Sequence, residues 1–412
     1  MRILCIGAGG VGGAAAGIVA RRSFFEVFVV ADYDLARAES AVKSVPPELR
    51  QRFEAVALDA SNKGAVADAI RRHRITHVLN AVDPRFVMPI FEGTAEAGAT
   101  YLDMAMSLSA PHPEMPYQLP GVKLGDLQFE RSGEWEAAGR LALVGMGVEP
   151  GLSDVFAAYA QEFLFSRIDE LAVRDGANLV VEGYDFAPSF SIWTTIEECL
   201  NPPVVYSSEH GWTTTEPFSD PELFDFPEGI GQVECVNVEH EEVVLMPRWI
   251  EAKAVNFKYG LGNEFIDVLR VLHKLGLDST EPVNVKGSLV SPRDVVAACL
   301  PDPATLGPKI KGKTCAGVLV RGNDKEGRPR STYLYHVVDN AWTMENYGSQ
   351  CVVWQTAINP IIALELLAGG TWTGAGVLGP EAFPSKPFLD LMAAPEPEGY
   401  GSPWRIREED RA

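Results

Sequence analysis

Cysteine is scarce in this sequence. Six cysteines are spread over 412 residues, and no two of them form a CxxC pair. A disulfide-rich secreted scaffold is therefore excluded, because such folds need a dense set of cysteines in a short chain. We expect reduced, mostly buried thiols in a cytoplasmic protein.

Long apolar runs and basic residues are also limited. We find no run of the about 18 apolar residues that a membrane helix needs, and the apolar start of the chain is too short for a signal peptide. Lysine and arginine number 35 against 56 acidic residues, which gives a formal net charge of -21. Such a surface repels phosphate backbones and anionic lipids, so neither nucleic acid nor a membrane is expected as a partner.

The composition suits a folded protein of more than one domain. Hydrophobic residues make up 46% of the chain and charged residues 22%, which is typical of globular proteins. At about 150 residues per domain, this length predicts two domains or one large split domain.

Short apolar runs alternate with helical segments in the first part of the chain, which predicts a parallel, doubly wound sheet. We predict an α/β fold with a Rossmann domain over 1–150 and a second α+β domain with a mixed sheet over 151–345. The strands predicted for the mixed sheet are 169–173, 233–238, 243–246, 252–257 and the hairpin strands 318–321 and 332–338.

Two helices and a tail are also predicted in this part of the chain. Ser291 and Asp294 form a capping box around Pro292, which predicts the start of a helix. Residues 350–368 predict a largely apolar helix. The polar tail over 393–412 is expected to be loose.

A glycine-rich turn follows the first apolar run. Gly7, Gly9 and Gly12 satisfy the GxGxxG pattern, and Asp32 ends the next apolar run twenty residues later. This context predicts a dinucleotide-binding turn, in which Gly7 makes the bend, Gly9 lets the pyrophosphate approach and Gly12 packs the helix on the strand.

Asp32 predicts NAD as the cofactor, with NADP less favoured. Its carboxylate would accept hydrogen bonds from the ribose 2'-hydroxyl and repel a 2'-phosphate. A solvated strand end is the alternative interpretation. The predicted cofactor contacts lie in the glycine turn and at the ends of neighbouring strands: Gly7, Gly9, Gly10, Val11, Gly12, Asp32, Asp59, Ala60, Asn80 and Ala81.

His240 is the strongest candidate for general acid–base catalysis. It stands between Glu239 and Glu241 in a predicted strand, and neighbouring carboxylates would raise its pKa toward working pH. An exposed histidine on an acidic edge is the alternative. Asp103 and Glu149 follow predicted strands at the sheet edge where open α/β folds bind ligands, so both are further catalytic candidates.

Three basic residues follow His240 in the sequence. Arg248, Lys253 and Lys258 are candidate anchors for a substrate carboxylate, with a solvated face as the alternative for each.

Two other motifs are interpreted as chance matches. Residues 307–314 match the P-loop pattern, but no strand precedes them and no helix follows. His73 and His77 lack a third ligand, so no metal site is expected there.

The whole chain resembles the saccharopine dehydrogenase family of NAD(P)-dependent oxidoreductases. Residues 147–151, with the sequence GVEPG, carry the resemblance at the predicted domain junction. The second half resembles the carboxynorspermidine dehydrogenase branch at residues 238–242, 300–303, 306–308, 311–314, 333–335 and 348–350.

The resemblance implies a Rossmann domain completed by a C-terminal helix region over 346–392, a second domain like that of glyceraldehyde-3-phosphate dehydrogenase, and a homodimer. It also implies hydride transfer at the C–N bond of an amino-acid-derived secondary amine, of the saccharopine or carboxy(nor)spermidine type. An acidic pocket would favour the polyamine, and a basic pocket would favour saccharopine.

Two alternatives remain open. Residues 31–34 are closer to NAD-using lysine 6-dehydrogenases, which would oxidise a primary amine. A non-catalytic sensor or scaffold would bind NAD without turnover of any amine.

Overall fold

The structure is a computed structural model that describes residues 1–409. The elements of the first part are β1 (Arg2–Ile6), α1 (Gly10–Ala20), β2 (Val27–Asp32), α2 (Leu35–Ser44), β3 (Phe53–Ala57), α3 (Lys63–His73), β4 (His77–Asn80), α4 (Val87–Ala97), β5 (Thr100–Leu102), α5 (Asp126–Phe129), α6 (Ser132–Ala137) and β6 (Leu141–Leu143).

The second part begins with α7 (Leu152–Tyr159), β7 (Phe165–Ala177), β8 (Val180–Val181), α8 (Ile192–Leu200), β9 (Val204–Ser207), β10 (Gly211–Thr214), β11 (Glu222–Phe226), β12 (Gly231–Asn237), α9 (Glu242–Trp249) and β13 (Ala252–Gly260). It continues with α10 (Asn263–Lys274), β14 (Val283–Val285), β15 (Ser288–Val290), α11 (Pro292–Cys299), β16 (Ile310–Lys311), β17 (Lys313–Asp324), β18 (Pro329–Asp339), α12 (Asn340–Tyr347), α13 (Cys351–Ala368), β19 (Gly376–Leu378), α14 (Ser385–Ala393) and β20 (Arg405–Glu408).

The first sheet has seven strands in the order β19-β6-β5-β4-β1-β2-β3, and every pair in it is parallel. Strands β1 and β2 are buried over nearly their whole length, as expected where helices cover both faces of a parallel sheet. The predicted doubly wound sheet is confirmed. Its outermost strand, β19, comes from the C-terminal part of the chain.

The second sheet is mixed, as predicted. Its main path runs β10-β9-β13-β7-β17-β18-β20, and the β11–β12 hairpin joins it through β13. Only β13 and β7 pair in parallel among the described strands of this sheet, and the other pairs are antiparallel. The helix predicted from the Ser291 capping box forms as α11, with the Ser291 side chain accepting a bond from the Asp294 N–H.

Two predicted elements differ in the structure. Residues 243–246 lie in helix α9 and not in a strand, because a short buried apolar run fits either element by periodicity alone. His240 therefore lies in the loop between β12 and α9. The tail is also partly ordered: β20 pairs with β18, while residues 410–412 lie outside the described residues.

Helix α13 packs between the sheets. By length and apolar composition it could span a membrane, contrary to our expectation from the sequence, but 78% of it is buried inside the protein. It contacts α1, where a Cβ on Gly10 would lie 2.9 Å from Val353 Cγ1. The Arg22 guanidinium also pairs with Glu365 at 2.8 Å. We therefore assign α13 as a core helix.

We expect Gly12→Ala to lower the free energy of unfolding by about 1–3 kcal/mol, because a Cβ there would lie 1.9 Å from the Gly7 carbonyl oxygen. Gly13→Ala on the same helix is the matched control, since a Cβ there meets no atom of the described residues within 4 Å and alanine favours the helix. Urea unfolding measures both variants. Equal stability of the two would contradict this packing.

Candidate active site

A cavity of about 720 Å³ is lined by residues of both sheets, a volume within the range of ligand sites. One end is formed by the glycine turn, the ends of the neighbouring parallel strands and the start of α2. The other end is formed by polar side chains of the second sheet, of α8 and of the loop before α9. The junction turn at residues 148–150 also lines the cavity.

The glycine turn has the backbone geometry that the motif predicts. Gly7 has a φ of 107°, and a Cβ there would lie 2.4 Å from the Ala81 carbonyl oxygen. Gly9 is the N-cap of α1, and among residues 1–409 only Arg37 lies within 4 Å of a Cβ at that position. An open approach to a helix N-terminus suits a pyrophosphate group.

Asp32 lies at the end of β2 and is 6% exposed. One carboxylate oxygen accepts the Ala8 N–H at 2.9 Å and the other accepts the Asp34 N–H at 3.0 Å. These bonds fix the carboxylate in the cavity wall. Each oxygen keeps a lone pair for a ribose hydroxyl.

Nine of the ten predicted cofactor residues line the cavity. The exception is Gly12, which packs against Gly7. One residue that the sequence analysis missed is Arg37, five positions after Asp32 on α2. Its exposed guanidinium reaches the glycine turn and has no hydrogen-bonded or ionic partner within residues 1–409.

Acidic side chains converge at the other end of the cavity. Glu149 comes from the junction turn, Asp175 from β7, Glu198 from α8 and Glu241 from the loop before α9. Tyr259 of β13 lies among them. Desolvation raises the pKa of Glu198 to about 8 and that of Asp175 to about 7. Asp175, Glu198 and Tyr259 were not among the predicted site residues.

His240 is enclosed by these acids. Its ring stacks on Phe257 with centroids 3.9 Å apart, and its Nδ1 is hydrogen-bonded to Glu242 Oε2. Burial alone would lower the pKa of His240, but the carboxylates of Glu242, Glu198 and Glu241 raise it to about 10. The imidazole is therefore protonated throughout the neutral range, beyond the working pH that the sequence predicted.

Comparisons with known proteins agree with this architecture. Residues 3–143 match the family model described as saccharopine dehydrogenase NADP binding domain, and residues 147–395 match that of the saccharopine dehydrogenase C-terminal domain. The chain belongs to the saccharopine dehydrogenase family. It is therefore an oxidoreductase that uses a nicotinamide dinucleotide.

Several saccharopine dehydrogenase family relatives match nearly end to end. Carboxynorspermidine synthase of Vibrio alginolyticus is 30% identical, with 99% of this chain and 97% of the relative covered. Carboxyaminopropylagmatine dehydrogenase of Synechocystis is 27% identical, with 98% and 96% covered. The apo saccharopine dehydrogenase (L-Glu forming) of Saccharomyces cerevisiae has the same fold, with a TM-score of 0.68 at 13% identity over 99% of this chain and 100% of that chain.

Asp103 does not line the cavity of this saccharopine dehydrogenase family member. It is fully buried, and its oxygens accept the Gly145 N–H at 2.7 Å and the Gln128 side-chain amide at 2.8 Å. The prediction that Asp103 is catalytic stays a prediction. In the structure its carboxylate holds the turn that follows β6.

The three predicted basic anchors are also absent from the residues that line the cavity. Arg248 packs over the Phe129 ring at 3.8 Å, and Lys253 pairs with Asp169 at 2.7 Å. Lys258 pairs with Asp220 and with Glu222 of β11. Acidic neighbours take up these cations, as expected in so acidic a protein. The cationic side chains that do line the cavity are Arg37, Arg85 and His240.

His240, Glu241 and Glu242 place possible metal-ligand atoms within 4.8 Å of one another. In the structure the His240 Nδ1 is hydrogen-bonded to Glu242, so these two side chains form an ion pair. The prediction that the protein uses no metal stays a prediction.

We expect the free energy of unfolding to fall as pH rises from about 5 to about 10. Folding raises the pKa of His240 from 6.5 to about 10, so its contribution is complete below pH 6.5 and is lost as pH rises through about 10. Burial raises the pKa of Glu239 from 4.5 to about 8, which has the same sign. Each group contributes a slope of up to about 1.4 kcal/mol per pH unit between its two pKa values.

Urea unfolding at a series of pH values measures this slope. Glu239→Gln should flatten it between pH 5 and 8, because Gln keeps an oxygen acceptor for Ser109 and Asn201 but does not titrate. Glu234→Gln on β12 is the control. A stability that is constant or rises over this range would contradict the assigned protonation.

Proposed function

We propose that this chain forms or oxidises a carboxy-polyamine, a secondary amine that joins an amino-acid carbon to a chain carrying further amines. The observation that carries the proposal is the acidic end of the cavity, where Glu149, Asp175, Glu198 and Glu241 line the wall. Polyamine nitrogens are cationic at neutral pH, and an ammonium bound beside these buried carboxyls would lower their raised pKa values and pair with the carboxylates that form. The carboxylates in both halves of saccharopine would act in the opposite direction and raise those pKa values further.

Unfilled acceptors support the same substrate class. The buried Glu241 Oε2 has no hydrogen-bond partner within the described residues, although it lies 3.6 Å from His240 Nδ1. A substrate ammonium would supply N–H donors to this wall.

The substrate carboxylate needs a cation at the same cavity. Arg85 follows β4, lines the cavity and stacks over Trp193 at 4.1 Å. Asp83 binds it through two hydrogen bonds, of 2.9 and 2.7 Å, which fixes the direction of its guanidinium. We propose Arg85 as the carboxylate anchor in place of the three basic residues predicted from the sequence.

Relatives support this substrate class. The names carboxynorspermidine synthase and carboxyaminopropylagmatine dehydrogenase both denote a carboxylated polyamine-type compound. The similarity to these two proteins extends over 99% and 98% of this chain, so it includes both domains.

The test is nicotinamide absorbance with carboxynorspermidine, carboxyspermidine, saccharopine and lysine in turn. We expect kcat/KM for a carboxy-polyamine to exceed that for saccharopine by about 100-fold or more. Glu198→Gln should raise KM for the polyamine and leave cofactor binding unchanged. Glu197→Gln, one residue away on α8 and outside the cavity wall, is the matched control.

Other results with these four amines would support a different function. Faster turnover of saccharopine would overturn the polyamine assignment, and turnover of lysine alone would replace it with primary-amine oxidation. Cofactor binding without turnover of any amine would favour a non-catalytic sensor.

We propose NAD as the preferred cofactor. The Asp32 carboxylate is fixed where a ribose hydroxyl can donate to it and where a 2'-phosphate would meet a like charge. Arg37 is the opposing feature, since its guanidinium beside the glycine turn could bind a 2'-phosphate. The matching N-terminal family model is also described as NADP binding.

Asp32→Ser should lower the preference for NAD over NADP by about tenfold or more, because it removes about 1.4 kcal/mol or more of discrimination. Arg37→Ala should leave NAD binding unchanged and weaken residual NADP binding. Fluorescence titration with both reduced cofactors measures this. A wild-type preference for NADP that disappears in Arg37→Ala would show that Arg37 sets the cofactor and would overturn the assignment.

A further inference from the structure

Glu149 and Asp175 meet in the wall of the cavity. Ser153 Oγ donates to Glu149 Oε1 at 2.7 Å, and the Gly317 N–H donates to the same oxygen at 3.1 Å. The other oxygen, Glu149 Oε2, is buried and meets no N–H or O–H donor among residues 1–409. The Asp175 carboxyl lies in the same cavity wall, close enough for the two groups to interact, and two neighbouring carboxyls shielded from water cannot both be ionised, so we infer that they share a proton.

The surroundings hold that proton on the pair. Desolvation raises the pKa of Glu149 well above its usual range, and the nearby charges of Asp175 and Glu242 raise it further. The His240 imidazolium acts in the opposite direction on Asp175. The titratable groups that interact electrostatically with the pair include His240, Glu242, Tyr259, Cys235, Cys315 and Tyr333.

His240 is less suited to exchange protons. Its Nδ1 is bonded to Glu242 and its ring is stacked on Phe257, so releasing its proton would leave the surrounding carboxylates without a counter-charge. We assign it as a fixed cation that balances the acidic wall.

We propose that Glu149 and Asp175 form the acid–base pair of the reaction, with Asp175 as the base and the shared proton on Glu149. This inference rests on the proposed function. Glu149 and Asp175 line the same cavity as the glycine turn, so one cavity offers both the predicted cofactor contacts and this pair.

In the direction of amine formation, Asp175 takes a proton from the substrate ammonium and frees its nitrogen lone pair. The nitrogen attacks the carbonyl carbon of an aldehyde or ketone, and after a proton moves from nitrogen to oxygen a neutral carbinolamine forms. The pair returns its extra proton to the carbinolamine hydroxyl, the C–O bond breaks, and water leaves an iminium ion. A reduced nicotinamide held by the glycine turn would supply the hydride that converts the iminium ion to the secondary amine.

Asp175→Asn and Glu149→Gln test the pair. We expect kcat to fall by about 100-fold or more in each, with reduced-cofactor affinity within about twofold of wild type. The acid limb of the kcat–pH profile near pH 7 should disappear in Asp175→Asn. Retention of that limb, or a kcat within about threefold of wild type in Glu149→Gln, would overturn the proposal.

Glu381→Gln is the matched control. Glu381 is a buried carboxyl that interacts with the neighbouring carboxyl of Asp154, and burial raises its pKa to about 7, but it lies outside the cavity wall. Its kcat should stay within about twofold of wild type. An equal loss in Glu381→Gln would show a general effect of buried carboxyls and would overturn the specific role of the pair.

The test of the Glu149–Asp175 pair can be separated from the test of the proposed substrate class. If the enzyme turns over saccharopine, the proposed polyamine substrate is wrong. The variants then still test the role of the Glu149–Asp175 pair, with saccharopine as the substrate. If no amine reacts, infrared spectroscopy decides: the band of a protonated carboxyl at neutral pH should be weaker in Glu149→Gln than in the wild type. Absence of that difference would overturn the shared proton.

Discussion

The balance of charge around His240 is the constraint on which the active site depends. Carboxylates in a cavity shielded from water repel one another strongly and cannot all be ionised. His240 neutralises part of this charge through its bond to Glu242. The proton shared by Glu149 and Asp175 neutralises another part. The remaining negative charge attracts a cationic substrate. The same balance of charge therefore affects the stability of the protein, its choice of substrate and its proton transfer.

The junction turn connects the two domains and also carries the candidate catalytic carboxylate of Glu149. Gly151 has a φ of 133°, and a Cβ there would lie 2.2 Å from the Gly147 carbonyl oxygen. Asp154 accepts the Gly151 N–H at 2.7 Å, and Ser153 donates to Glu149 at 2.7 Å. The start of α7 therefore fixes the position of Glu149. A change in this turn would move the carboxylate relative to both substrates.

The side chains at the two ends of the cavity are positioned in different ways. At the cofactor end, a strand, a glycine turn and a helix are consecutive in the chain, so local sequence positions the groups that face the dinucleotide. At the acidic end, strand register positions the side chains. Tyr259 pairs with Asp175 across β13 and β7, and Cys315 of β17 pairs with the adjacent Gly176. These strands are separated by long stretches of chain.

The sequence by itself determined the parts that depend on short-range backbone preferences. These include the glycine turn, the capped start of α11 and the β17–β18 hairpin. Tertiary structure decided that residues 243–246 are helical, that Arg248 packs over the Phe129 ring, and that Asp175 faces Glu149. Each of these outcomes depends on residues that are distant in sequence. Distant contacts decide whether a buried apolar run becomes a helix or a strand, which group a cation packs against and which group lies beside a carboxylate, and no local pattern contains them.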